Sequence, residues 1–191
     1  MIEQPFDLPP DHPERTPGKT GVLIINLGTP DGTDYWSMRR YLKEFLSDPR
    51  VIEANRVLWW FVLNVIILTT RPKKSGEAYR SIWNEELDES PLRTITRAQT
   101  EKLAAKLAKH KHVIVDWAMR YGKPSIKDTL QKIIKQIGQG GHIYLIPLYP
   151  HYAMSSFESS VERVKEILKA LDPQAKLSIH DPYYQDEDYI D

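Results

Sequence analysis

A chain of 191 residues with 41% hydrophobic and 27% charged side chains can bury one good core and reads as one globular domain. Lysine plus arginine equals aspartate plus glutamate at 26 each, so no global field draws the chain to nucleic acid, and any basic patch must be local. The absence of cysteine excludes disulfides, Cys-ligated zinc and thiolate-held iron–sulfur clusters within the chain.

Residues 1–20 carry Pro5, Pro9, Pro10, Pro13 and Pro17 with acidic side chains and no apolar run. That composition fits neither a secretory signal nor an Arg-rich transit peptide, and it predicts a flexible arm on a cytoplasmic protein. Residues 21–27 predict a strand: Val22, Leu23, Ile24 and Ile25 run without a break, as in a strand covered on both faces, and then stop at a Gly-Thr-Pro-Asp-Gly turn. Trp36, Met38, Tyr41, Leu42, Phe45 and Leu46 give near-helical spacing over 33–47, and Ser47-Asp48-Pro49 ends that helix.

The stretch VLWWFVLNVIIL (57–68) is the most apolar part of the chain but, at twelve residues, falls short of the roughly 20 needed to span a bilayer. By itself it reads as a core helix. The cations Arg71, Lys73 and Lys74 that follow it instead suit an exposed apolar lip beside anionic groups.

Residues 75–83 and 93–109 predict helices, the second with Leu103, Ala104, Leu107 and Ala108 as its apolar stripe. His112–Met119 predicts a second strand. Ser125 opens a helix whose Ile126, Leu130, Ile133, Ile134 and Ile137 share one face, and Ser125 with Asp128 resembles a capping box. His142–Leu148 predicts a third strand, 156–171 a helix through Val161, Val164, Ile167, Leu168 and Leu171, and Lys176–Ile179 a fourth strand. Strands alternating with helices imply an α/β fold, a Rossmann-like parallel four-stranded sheet in flavodoxin-like order with helices on both faces.

In such a sheet the ligand lies outside the carboxyl ends of the strands, here NLGTPDG (26–32), MRYGKPS (119–125), YPHYAMSS (149–156) and HDPYY (180–184). None of these is a dinucleotide fingerprint or a P-loop. Ser155 and Ser156 lack a nucleophile elbow and read as helix caps. His110, His112 and His142 fall at the opposite end of the sheet, whereas His151 and His180 fall at the productive end, where a neutral imidazole can bind metal or accept a proton. Arg120 and Tyr121 together could hold a carboxylate while packing on a flat apolar ligand; an ordinary salt bridge with a half-buried tyrosine reads equally well.

Five stretches in register, NLGTPDGTDYWSMRRYLKEFLSDPRVIE (26–53), RPKKSGEAYRSIW (71–83), SPL (90–92), MRYGKPSI (119–126) and LIPLYPHYAMSS (145–156), resemble the amino-terminal half of the bacterial-type ferrochelatases. The resemblance implies a first chelatase-like domain over 21–191, with an apolar lip at about 55–75 and a second domain outside this chain. It implies a haem-synthesis lyase whose substrates are ferrous iron and protoporphyrin IX, with no prosthetic group. Asn26, Leu27, Thr29, Arg71, Lys74, Tyr79, Ser90, Arg120 and Tyr121 then correspond to porphyrin-contacting positions; no metal ligand is assigned within the chain, with His151 only a weak candidate. The lip at 57–68 becomes an exposed edge of the cleft, with peripheral membrane contact, and an uncovered interdomain face favours self-association.

The family's proton-accepting histidine lies in a Ser-x-His-Gly-Ile/Leu-Pro type motif, with an essential glutamate further on. None of the six histidines here is followed by Gly and Pro, so the catalytic pair is expected beyond residue 191 and the isolated chain is expected to be inactive. A non-catalytic tetrapyrrole-binding module and a flavodoxin-like flavin or nucleotide domain remain as alternatives.

Overall fold

The computed structural model describes residues 18–190; the arm expected at 1–20 lies almost wholly outside the described residues. Four parallel strands, β1 (Thr20–Thr29), β2 (Val113–Gly122), β3 (His142–Pro147) and β4 (Lys176–Ile179), form one sheet in the order β2-β1-β3-β4, the flavodoxin-like order expected from the sequence. The central strand alternates its faces. Leu23 and Ile25 join the main core with Leu130, Ile133, Val161 and Val164 from helices α5 (Ile126–Ile137) and α6 (Ser159–Leu171). The opposite face receives helix α4 (Pro91–Leu107), where the Asn26 amide donates to Thr96 Oγ1 at 3.0 Å.

Between β1 and α4 the chain makes an excursion over the strand ends. Helix α1 (Tyr35–Leu46) is capped by Asp34, whose carboxylate accepts from the Trp36 and Ser37 amides. Helix α2 (Arg56–Phe61) runs into a π-helical segment (Val62–Ile67) and then into α3 (Leu68–Arg80). The sequence reading placed that last helix at 75–83. The structure carries the helix through Pro72, and the Leu68 carbonyl oxygen that a proline cannot bond accepts the Tyr35 hydroxyl at 3.0 Å. Gly76 lets α3 close onto this excursion, since a Cβ there would lie 2.2 Å from the Thr33 carbonyl oxygen.

Three further differences have local causes. In α4 the fully buried positions are Thr96 and Thr100, not the predicted stripe: Leu103, Ala104 and Leu107 are half-buried and Ala108 is exposed. The two hydroxyls bond back to the Leu92 and Thr96 carbonyls at 2.7 and 2.8 Å, so threonine methyls can pack on the sheet without an orphaned donor. Ser155 and Ser156 are not caps. They sit in a second π-helical turn (Met154–Glu158) that precedes α6 and has no side-chain cap. Strand β2 runs to Gly122, so Arg120 and Tyr121 lie inside the strand rather than in the loop after it.

β2 is an edge strand of ten residues, and three of its amides are bonded from within the chain outside the ladder. The Val113 amide bonds the His110 carbonyl at 2.8 Å, the Trp117 amide bonds the Asp116 carboxylate at 2.9 Å, and the Met119 amide bonds the Pro124 carbonyl at 2.8 Å. Such self-capping interrupts the row of free amides that an exposed edge presents.

Ser125 caps α5 as read, its Oγ accepting the Asp128 amide at 3.1 Å, but the capping box is incomplete, because the Asp128 carboxylate accepts the Ser125 hydroxyl at 2.7 Å rather than the Ser125 amide. Replacing Ser125 with alanine is expected to lower stability by about 1 kcal/mol. A urea melt of the S125A variant checks this, with the midpoint falling and the slope unchanged.

Candidate functional site at the strand ends

The connection from β1 to β2 passes over one face and those from β2 to β3 and β3 to β4 over the other, so the winding reverses between β1 and β3. That reversal opens a crevice outside their carboxyl ends. Asn26 and Leu27 lie there. The Asn26 side chain is pinned at both ends, to Thr96 and to the Leu27 amide, which donates to Asn26 Oδ1 at 2.8 Å.

Leu27 is half-buried against a cluster of Met38, Tyr41 and Tyr121, and Phe45, Val51 and Tyr79 pack on the same cluster. Leu27, Tyr79 and Tyr121, distant in sequence, are thereby brought together. The Phe45 and Tyr121 rings meet edge to face at 5.1 Å, and Tyr41 and Tyr79 at 6.3 Å.

Arg120 and Tyr121 converge on Asp48, which the sequence reading treated only as part of a helix stop. Asp48 Oδ2 pairs with the Arg120 guanidinium and accepts the Tyr121 and Ser159 hydroxyls, each at 2.8 Å; its Oδ1 accepts the Arg50 amide at 2.9 Å. Arg120 Nε donates in turn to the Ser159 carbonyl and hydroxyl oxygens at 3.1 and 2.9 Å, and its Cζ stands 4.4 Å from the Tyr121 ring centroid. Burial pushes the Asp48 carboxyl up. The Arg50 amide, the Ser159 and Tyr121 hydroxyls and the Arg120 charge outweigh it and hold the group below the usual carboxylate range. Burial pushes the Tyr121 phenol up to about 12, with Asp48 adding to the rise. At neutral pH the cluster is therefore an Arg120–Asp48 ion pair ringed by protonated hydroxyls. Apart from the Arg50 amide, the Asp48 carboxylate's partners lie 72 or more residues away, and Ser159's lie 38 or more away, so no short-range sequence signal joins them.

The remaining predicted residues lie around this centre. Thr29 is buried, its hydroxyl has no hydrogen-bond partner, and it lines a cleft of about 500 Å³ with Arg40, Tyr41 and Lys123 that includes neither Asn26 nor Leu27. Ser90 is buried as the N-cap of α4, its hydroxyl accepting the Arg93 amide at 3.3 Å. Just before it, Glu89 is buried between Thr94 and a bidentate Arg97. Arg71 and Lys74 are exposed on α3, and neither takes an ion-pair partner among the described residues.

The lip is exposed, not core. Val57, Leu58, Trp60, Phe61, Val65 and Ile66 are each more than half accessible, whereas Leu63 and Leu68 are buried. The lip is tied to α1 by the Trp59 indole, which donates to the Leu46 carbonyl at 2.8 Å. His151 is exposed with its ring stacked 5.4 Å from Tyr184, and His180 Nδ1 donates to the Asp181 carbonyl at 2.7 Å. Among the described residues no three His, Asp or Glu side chains group as a metal-holding set, and no helix is long and apolar enough to cross a membrane.

The family model described as Ferrochelatase matches residues 19–191, nearly the whole chain. The chain belongs to the ferrochelatase family. It is 50% identical over 184 residues to a ferrochelatase of Agrobacterium fabrum, covering 96% of this chain and 53% of that protein. With a ferrochelatase of Rhodopseudomonas palustris (strain HaA2) the identity is 47% over 175 residues, 92% of this chain and 50% of the relative. A ferrochelatase of Chelativorans is 50% identical over 183 residues, 96% and 51%. The chain thus spans about half the length of the curated ferrochelatases it matches.

Proposed function

We propose that this chain forms one wall of a cleft in which ferrous iron is inserted into protoporphyrin IX. The observation that carries the reading is the convergence of Leu27, Tyr79 and Tyr121 on one aromatic cluster at the strand reversal, beside an exposed apolar lip followed by unpaired cations. A porphyrin is a flat apolar disc with two propionates. Apolar and aromatic side chains suit the disc, and Arg71 and Lys74 suit the propionates, arginine because its fork can hold a carboxylate bidentately.

Metal entry requires the inward-pointing pyrrole N–H groups to lose two protons. In this reading the present residues grip and orient the ring: Leu27 and Tyr79 at its face, Asn26 and Ser90 at positions that shape the wall, and Arg120 with Tyr121 at the inner end, while Thr29, buried at a separate cleft, supports the end of β1. Burial raises the Tyr121 phenol to about 12, so it keeps its proton at neutral pH, and none of the six histidines is followed by the family's Gly-Ile/Leu-Pro pattern. The lip, with Arg71, Lys73 and Lys74 beside it, fits loose contact with an anionic lipid surface.

The test is a fluorescence titration of the 191-residue chain with protoporphyrin IX, followed by a zinc-insertion assay on the same sample. Saturable porphyrin binding with no zinc insertion above buffer is the expected result. Flavin binding without porphyrin binding would overturn the reading in favour of a flavodoxin-like module, and zinc insertion would overturn the assignment of these residues to grip alone.

A further inference from the structure

Asp48 stands at the meeting point of three separately folded pieces. Its own segment leads from α1 into the lip, and its carbonyl accepts the Val51 and Ile52 amides at 3.0 and 3.1 Å. Its carboxylate reaches β2 through Arg120 and Tyr121, and α6 through Ser159. The Arg120 side chain is about nine-tenths buried, yet its Nη1 takes no partner among the described residues, and Arg120 and Asp48 both line an open cleft of about 460 Å³. The Tyr121 ring forms part of the aromatic wall that carries Leu27 and Tyr79. One carboxylate therefore holds both a cation that lines this cleft and a buried ring of the neighbouring aromatic cluster, although Leu27, Tyr79 and Tyr121 do not themselves line it.

A buried ion pair is a weak source of net stability, because desolvating both charges offsets most of their attraction, and an apolar residue could fill the same space. What an apolar residue could not do is aim a guanidinium and a phenol at one point. We propose that Asp48 is a positioning residue for porphyrin binding, setting Arg120 and Tyr121 relative to the base of the lip; this rests on the porphyrin reading above.

The experiment compares the 191-residue chain with its Asp48→Asn variant, which keeps shape and removes charge. Circular dichroism establishes that both are folded at a temperature well below their melting transitions. Two quantities are then read: protoporphyrin IX affinity, and the Arg120 Nε–H resonance in a nitrogen–proton NMR spectrum, protected while Ser159 and Asp48 hold it. The expected result is an affinity loss of about tenfold, the scale on which outer-shell partners act at other binding sites, together with loss of the protected resonance.

Unchanged affinity and an unchanged resonance in a folded D48N, with only a lower melting point, would overturn the proposal. Should D48N fail to fold, Ser159→Ala removes one arm of the same cluster; a weaker affinity and faster exchange at Arg120 uphold the proposal, and wild-type values of both overturn it. Absence of porphyrin binding by the unsubstituted chain sinks the porphyrin reading, and the Arg120 resonance then decides separately whether Asp48 holds that side chain.

Discussion

Replacing Gly28 with alanine is expected to abolish stable folding. Gly28 has φ +114°, a region L side chains rarely adopt, and it pairs with Tyr121 across the β1–β2 ladder. A Cβ at this position would lie 1.9 Å from the Tyr121 carbonyl oxygen, with the Tyr121 carbonyl carbon and amide nitrogen at 2.8 and 2.9 Å. All three are backbone atoms of a buried residue, so relief requires the two strands to separate where Asn26 and Leu27 meet Met119 and Tyr121. The strain and the clash together should cost more than about 4 kcal/mol, a large part of the roughly 5–15 kcal/mol that stabilises a domain. Circular dichroism and thermal melting of G28A check this; a cooperative transition within a few degrees of the unsubstituted chain would contradict it.

Acid is expected to unfold the protein steeply below about pH 4. Asp48 and Glu89 are both buried, and both are held below their ordinary values of 3.8 and 4.5 although burial itself pushes each up. For Glu89 the opposing causes are the Arg97 and Thr94 hydrogen bonds and the charges of Arg97 and Arg93. A carboxyl whose folded value is depressed contributes stability that is complete above its unfolded value and is lost as pH falls through the folded one, so the window lies below these ordinary values. Protonating Asp48 leaves the Arg120 guanidinium buried without its counter-charge, and breaking such a pair from one side costs up to about 3–5 kcal/mol. Urea midpoints from pH 7 down to pH 3 measure this. Glu89→Gln should lower the midpoint at pH 7 and flatten its dependence on pH, whereas a parallel curve would remove Glu89 from the account.

The two effects arise at positions of different legibility. Gly28 lies in β1 just before the Thr-Pro-Asp-Gly segment, and a glycine at a strand end already points to a close backbone approach. Asp48 and Glu89 carry no such mark. Each looks like a surface acid beside a helix end until the partners, Arg120 and Ser159 in one case and Arg97 in the other, are folded against it. The same holds for Leu27, Tyr79 and Tyr121, named separately from a family resemblance and joined only by the packing of α1 and α3 over the strand ends.

The sequence by itself determined the class of fold, the four strands and their order, and the capping of α5, because those depend on local periodicity, strand connection and turn chemistry that adjacent residues carry. It also contained the motifs that resemble the ferrochelatases. Only the tertiary structure decided that the apolar segment at 57–68 is exposed, that α3 continues through Pro72, that α4 buries threonines, and that Arg120 is held by Asp48. In the last three cases a long-range interaction contributes: the Tyr35 hydroxyl on the Leu68 carbonyl, Asn26 on Thr96, Asp48 on Arg120 and Ser159. Periodicity reports which residues share a face of their own element, but it does not report what that face will meet.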